Sequence, residues 1–157
     1  MTFRETSNMA EVAEVLRDPR CYRRIQPDGA PDANTVEPVP INGVRYIIAE
    51  DGAPRAVFLL WERDPDVAEV HFSALPALWG RAGALVEAFL LWAWQNTPYV
   101  RLSAKIPSYN RLCLRLAKSC GFEDDIVTPS EEGTKHGKPF WIHWMHIYRP
   151  EEYAKCA

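Results

Sequence analysis

Between residues 67 and 122 the hydrophobic period of the chain switches in a fixed order, and that order restricts the folds open to it. Residues 67–75 alternate apolar and polar side chains, the pattern of a strand, with Glu69, His71 and Ser73 on one face. A glycine-bearing turn follows, Ala77-Leu-Trp-Gly-Arg-Ala-Gly-Ala84, and opens an amphipathic helix. Its apolar stripe is Ala82, Leu85, Val86, Phe89, Trp92 and Ala93, and Asn96-Thr-Pro98 ends it. Residues 99–105 read as the next strand. Pro107 then starts a helix over 108–120, with Leu112, Cys113, Leu116 and Cys120 on its buried face and Gly121 at the position after its last turn. A strand–helix–strand run in one sheet requires a parallel pair joined by a right-handed crossover. A strand that enters a helix through a glycine turn also presents backbone N–H groups that lack helical partners, which is an anion site. The segment therefore points to a phosphate-bearing ligand.

The flanking sequence supplies the rest of a mixed sheet. Residues 7–17 carry Met9, Val12, Ala13 and Leu16 at helical spacing, with Ser7 or Asn8 as cap and Asp18-Pro19 as terminator. Cys21, Tyr22 and Ile25 suggest a short second helix, and 26–40 reads as a polar loop. Phe3 gives a weak signal for an edge strand. Asp51-Gly52 between two β-rich runs, 44–49 and 55–61, marks a hairpin, and Asp64-Pro65-Asp66 turns the chain back into 67–75. Residues 122–127 read as a short strand, 128–139 as a mobile polar loop, and 140–149 as an aromatic last strand. The expected order is α-α-β-β-β-α-β-α-β-β, with helices on both faces of the sheet and residues 1–157 forming a single domain.

Composition narrows the function classes. A net charge of −3 leaves no basic footprint for nucleic acid. No apolar run approaches the roughly 18–20 residues of a membrane span, and no signal-peptide core stands at the start, so a cytoplasmic protein is expected. Cys21, Cys113, Cys120 and Cys156 show no metal-ligand spacing and read as small buried hydrophobes in a reducing compartment. Cys113 and Cys120 lie too far apart along one helix to bridge. No metal site is expected.

Two motifs in this order carry a family resemblance. Ala77-Leu-Trp-Gly80-Arg-Ala82-Gly-Ala-Leu85 is similar to the phosphate loop Gln/Arg-x-x-Gly-x-Gly/Ala of the GCN5-related N-acetyltransferase (GNAT) superfamily, with Ala77 at its first position. Asn110-Arg-Leu-Cys113-Leu-Arg-Leu116-Ala117-Lys-Ser-Cys-Gly121-Phe122 resembles the family's Asn-x-x-Ala-x-x-Leu-Tyr-x-x-x-Gly-Phe, with Cys113 for alanine and Ala117 for tyrosine. The resemblance runs from about Val44 to Arg149. It extends to divergent members encoded by phages and prophages, through His71 in the fourth strand and Ile106-Pro-x-x-Asn110 after the fifth.

The resemblance implies an α/β (α+β) fold: a mixed, mostly antiparallel sheet of six to seven strands with helices on both faces, whose fourth and fifth strands splay around a pantetheine arm. It implies acetyl-CoA or another acyl-CoA as cofactor, bound by Ser73, Ala74, Leu75, Trp79, Gly80, Arg81, Ala82, Gly83, Ala84 and Asn110. A backbone N–H near Ser73 or Ala74 would polarise the thioester carbonyl. Acyl transfer to an amine needs a base, and Glu69 and His71 share the strand face to supply one. An imidazole titrates near pH 6.5 in water and suits that role. The family's usual acid, a tyrosine that protonates the thiolate, is replaced by Ala117; Ser108, Tyr109, Ser119 or water are the candidates left.

The acceptor implied is a primary amine of a small molecule or a protein lysine or N-terminus. In the last strand Phe140, Ile142, Trp144, His146 and Tyr148 share one face, so His146 or Tyr148 could orient an acceptor. His143 lies on the other face and cannot join His146 on one metal; His136 is expected in solvent. Two other classes stay open: a non-catalytic GNAT-like phage accessory or binding protein, and an interaction module whose aromatic last strand forms a homodimer.

Overall fold

The computed structural model describes residues 1–153, apart from the side chains of Glu131 and Glu132. Its centre is a seven-stranded sheet of order β1-β2-β3-β4-β5-β7-β6, built from β1 (Thr2–Thr6), β2 (Val44–Glu50), β3 (Pro54–Asp64), β4 (Val67–Ala74), β5 (Arg101–Pro107), β6 (Glu123–Lys135) and β7 (Lys138–Tyr148). Every neighbouring pair is antiparallel except β4 and β5. The connection between those two is α3 (Ala82–Asn96), as the strand–helix–strand pattern requires. Helices α1 (Met9–Leu16) and α2 (Pro19–Ile25) precede β2, and α4 (Arg111–Ser119) follows β5.

Strand alternation divides the core between the two faces. Ile47, Ala49, Phe58, Leu60, Ala68, Leu102 and Met145 meet α3 and α4, while Tyr46, Ile48 and Val57 meet Val12 and Val15 of α1. Phe58 lies flat on Phe89 of α3, ring centroids 3.8 Å apart, and also stacks on Phe72 at 5.3 Å. Phe3 of β1 packs by its edge against Phe58, so the weak edge-strand signal does mark a strand, and the chain begins β-α-α.

Local chemistry sets the helix ends. Asn8 and Asp18 accept from Ala10 N and Arg20 N and cap α1 and α2. At the end of α4, Gly121 takes φ +90, Phe122 N donates to Ala117 O and Gly121 N to Lys118 O, the paired bonds of a Schellman stop. Three sequence expectations need correcting. Helix α4 starts at Arg111 rather than 108, because Asn110 caps it and Ser108 and Tyr109 form the turn before it. Leu112 is exposed and Ala117 is the residue that α4 buries. Residues 128–139 are mostly strand: β6 and β7 form a long hairpin that closes on His136 and Gly137, both with positive φ, the turn that matches strand twist. Cys156 lies outside the described residues; Cys21 is buried, and Cys113 and Cys120 are partly buried and free.

No helix among the described residues is long and apolar enough to cross a membrane.

Candidate functional site

The parallel ladder between β4 and β5 is short. It joins Val67 to Arg101, Ala68 to Leu102 and Glu69 to Ser103, and then stops, although both strands continue. Beyond Glu69 the sheet forks. Leu75 N donates to Arg55 O, so the alternation of the antiparallel β3–β4 ladder turns the backbone groups of Glu69, His71 and Ser73 toward β3. The N–H and C=O groups of Val70 and Phe72, and the N–H of Ala74, therefore face the fork. On the opposite edge Ser108 N donates to Trp141 O, which by the same alternation leaves the backbone groups of Lys105 facing it, while the Pro107 carbonyl accepts from Asn110 N.

A cavity of about 1110 Å³ fills this fork, and one of about 290 Å³ adjoins it; Ile25, Phe72, Ser73, Asn110, Cys113 and Leu116 line both. The smaller one sits over the start of α3, where Trp79, Gly80, Ala82 and Gly83 form its floor. Arg81 is the N-cap of α3 and no side chain caps the helix; Ala82 N donates back to Trp79 O of the 3-10 turn Pro76–Arg81, which leaves the N–H groups of Gly83 and Ala84 at the helix start for a ligand. A Cβ added at Gly80 or Gly83 meets nothing within 4 Å, and neither glycine has a positive φ. Packing and backbone strain do not demand glycine there; the empty space above it belongs to the cavity. Arg24 of α2 lies over the Trp79 ring at 4.3 Å and brings a guanidinium to the same cavity, where Ala77 offers no side-chain donor.

The larger cavity holds the charged groups. Glu69 is only 4% exposed, yet its carboxylate is fully engaged. Its Oε2 accepts from Arg63 Nε at 3.1 Å and Nη2 at 2.7 Å and lies 3.3 Å from Lys105 Nζ, while Oε1 is 2.7 Å from His71 Nε2. Burial alone would raise its pKa, but the hydrogen bonds from His71 and Arg63 and the charges of His71 and Lys105 outweigh it, and the group is held at about 2. An ionised carboxylate only accepts, so His71 Nε2 carries the proton that faces Glu69, and in the neutral ring the lone pair is on Nδ1. Trp61 lies under Arg63 at 3.7 Å and Trp144 faces Lys105 at 4.3 Å.

The fork thus brings together most, not all, of the residues the sequence singles out. Glu69 and His71 line the larger cavity, and Ala74, Trp79, Gly80, Ala82 and Gly83 the smaller; Ser73 and Asn110 line both. Ser73 reaches them by its side chain, since its N–H faces β3. Leu75, Arg81 and Ala84 line neither, and Leu75 spends its N–H on Arg55 and its carbonyl on Leu78. Ser108 accepts from Trp141 N, the Tyr109 hydroxyl donates to Ile25 O and Ser119 donates to Leu116 O, so each candidate acid is tied to the backbone outside the cavities. Ala117 lines the larger cavity. His143 sits 3.1 Å from Asp124, and His136 is exposed. Arg63 and Lys105 come from β3 and β5, and only their strand parity with Glu69 hints at them in the sequence.

No protein-family model matches the sequence, and no curated protein matches it. Solved structures do. Spermidine N-acetyltransferase from Vibrio cholerae, in complex with CoA and spermine, superposes with TM-score 0.76 at 16% identity over 97% of this chain and 96% of that one. The fold is that of the GNAT N-acetyltransferases. The acetyltransferase of GNAT family from Streptococcus pneumoniae gives TM-score 0.70 at 13% identity, covering 94% of this chain and 99% of that one. The candidate acetyltransferase yncA of Salmonella typhimurium, solved with its cofactor acetyl-CoA, gives 0.66 at 18% identity, covering 96% and 94%. The GNAT fold is accordingly present here with little sequence in common.

Proposed function

We propose that the protein is an acetyl-CoA-dependent N-acetyltransferase acting on a primary amine. The observation that carries this reading is the fork: two unpaired strand edges run from a glycine-floored helix N-terminus at one end to the His71–Glu69 pair at the other. Open N–H groups at the start of α3, clearance over Gly80 and Gly83, and Arg24 suit a pyrophosphate. The backbone groups of Val70 and Phe72 can pair with an amide-bearing arm as a missing strand would. Asn110 spends Oδ1 on Cys113 N and keeps Nδ2 for the same arm.

The chemistry that acetyl-CoA supplies is a thioester carbonyl. Ala74 N–H faces the fork and offers a donor to that oxygen. His71 Nδ1 takes the proton that the amine gives up as the N–C bond forms and the C–S bond breaks. Glu69 fixes the imidazole tautomer and stabilises the imidazolium. Arg63 and Lys105 keep Glu69 ionised, so it orients the base and is too weak a base itself. Water reaching the open cavity protonates the thiolate, because Ala117 brings no acid. Positioning supplies the remainder of the rate.

A thermal-shift and turnover pair tests this. Acetyl-CoA at about 100 times its dissociation constant stabilises by roughly 2.7 kcal/mol, or about 5–10 °C in a chain this long. His71→Ala keeps that shift and loses about 10²–10⁴-fold in CoA release with an amine present. No shift with acetyl-CoA or CoA sinks the reading. Ala117 favours one alternative, a binding module on the GNAT fold, which would show the shift and no amine-dependent release of CoA.

A further inference from the structure

We infer that the acceptor carries a carboxylate as well as its amine, on an apolar or aromatic body; this rests on the acetyltransferase reading and assigns its second substrate. Among the residues lining the larger cavity, the groups that carry charge are Arg63, Lys105, Glu69 and His71. Glu69 is the one carboxylate of the set, and it already accepts from Arg63 twice and faces His71 and Lys105. Among the described side chains, two permanent cations therefore share one buried anion, and no acidic group of that set is left over for a cationic substrate. A polyamine entering here would meet Arg63 and Lys105 and, among the described side chains of the lining, no second carboxylate to balance its second ammonium.

A carboxylate meets the opposite situation. Lys105 makes a single contact to Glu69, at 3.3 Å, so its ammonium retains donors for a second anion. It stands against Trp144, and Arg63 against Trp61, so both cations sit on flat apolar walls that exclude water from one side. Leu16, Ile41, Val44 and Ile142 continue the apolar lining around them. Lys105 and His71 touch the same Glu69 carboxylate from its two oxygens. An anion held on Lys105 and an amine presented to His71 are then separated by the short span of an amino acid. The acceptor class is a hydrophobic or aromatic amino acid, or an equivalent amine bearing one carboxylate.

The test compares N-acetylphenylalanine with N-acetylphenethylamine, which lacks only the carboxylate, by calorimetry on the CoA-loaded protein. A charge-assisted contact in a partly desolvated wall should give the acid about 10–100-fold tighter binding. The preference should fall to near parity in Lys105→Met and return in Lys105→Arg, with each variant compared at saturating CoA. Equal binding of the pair, tighter binding of N-acetylspermidine, or no binding of the acid at millimolar concentration overturns the inference. Failure of CoA itself to bind overturns the acetyltransferase reading instead, and the same pair titrated into the unloaded protein still reads the charge preference of the wall.

Discussion

Replacing Glu69 by glutamine removes one charge from the centre of the fork and should cost the fold about 3 kcal/mol at pH 7. The figure has two independent sources. The carboxyl is held at about 2 against an ordinary 4.5, which at about 1.36 kcal/mol per pH unit is roughly 3 kcal/mol of native-state preference for the ionised form. Breaking a buried ion pair from one side costs about 3–5 kcal/mol, and the lower end applies because Arg63 and Lys105 are each about a third exposed and partly solvated. For a chain of this length the loss is a fall in Tm of about 6–12 °C. The pH dependence separates this cause from a simple packing defect. Below about pH 4.5 the unfolded wild-type chain binds a proton that the folded chain refuses until about pH 2. The advantage of wild type over Glu69→Gln is therefore complete above pH 5, shrinks as pH falls and vanishes near pH 2. Urea titrations of both proteins at intervals from pH 7 to pH 2.5 measure it. A difference under about 1 kcal/mol at pH 7, or one that does not change with pH, would refute the account of Glu69 as a locked carboxylate.

Three further outcomes follow from the geometry. Gly83→Leu should leave Tm unchanged or higher, since its Cβ meets nothing within 4 Å and helix propensity improves by about 0.5–1 kcal/mol, yet abolish the acetyl-CoA thermal shift; a retained shift would refute the cradle. Phe58→Ala should cost about 3–5 kcal/mol in urea unfolding, because the ring is fully buried between sheet and α3 on Phe89; a cost below about 1 kcal/mol would contradict that packing. Asp28 accepts from His136 N, Gly137 N and the Thr134 hydroxyl, which hold its carboxyl below the usual range, so Asp28→Ala should speed amide exchange at the β6–β7 turn and leave α3 protected. Equal exchange at His136 and Gly137 in both proteins would count against that staple.

What the sequence makes legible is what short-range chemistry decides. The strand of Glu69 and His71, the glycine turn, α3 and the Gly121 stop each rest on residues within a turn of one another, and each appears in place. The β6–β7 hairpin is harder to read because polar and charged residues fill β6, with Pro129 and Gly133 interrupting it; the informative pair is His136-Gly137, a two-residue turn disguised as one of several loop glycines. The site divides in the same way. His71 and Glu69 are two apart on one strand, so alternation alone unites them. Arg63 and Lys105 reach the same carboxylate from strands 6 and 36 residues away, and no local pattern reports a contact that strand register creates. Tyr109 is the converse case: adjacent to Asn110 in sequence, it turns away to hold the end of α2.

Glu69 also occupies a particular place in the sheet, the last rung of the parallel ladder before the fork opens, paired with Ser103. Its salt bridge to Lys105 is the first crosspiece past that rung, bolting one tine to the other. Any ligand that wedges the tines apart pulls on this crosspiece before it strains the backbone behind it. The same carboxylate holds His71, so the spread of the strands and the aim of the imidazole are a single mechanical variable.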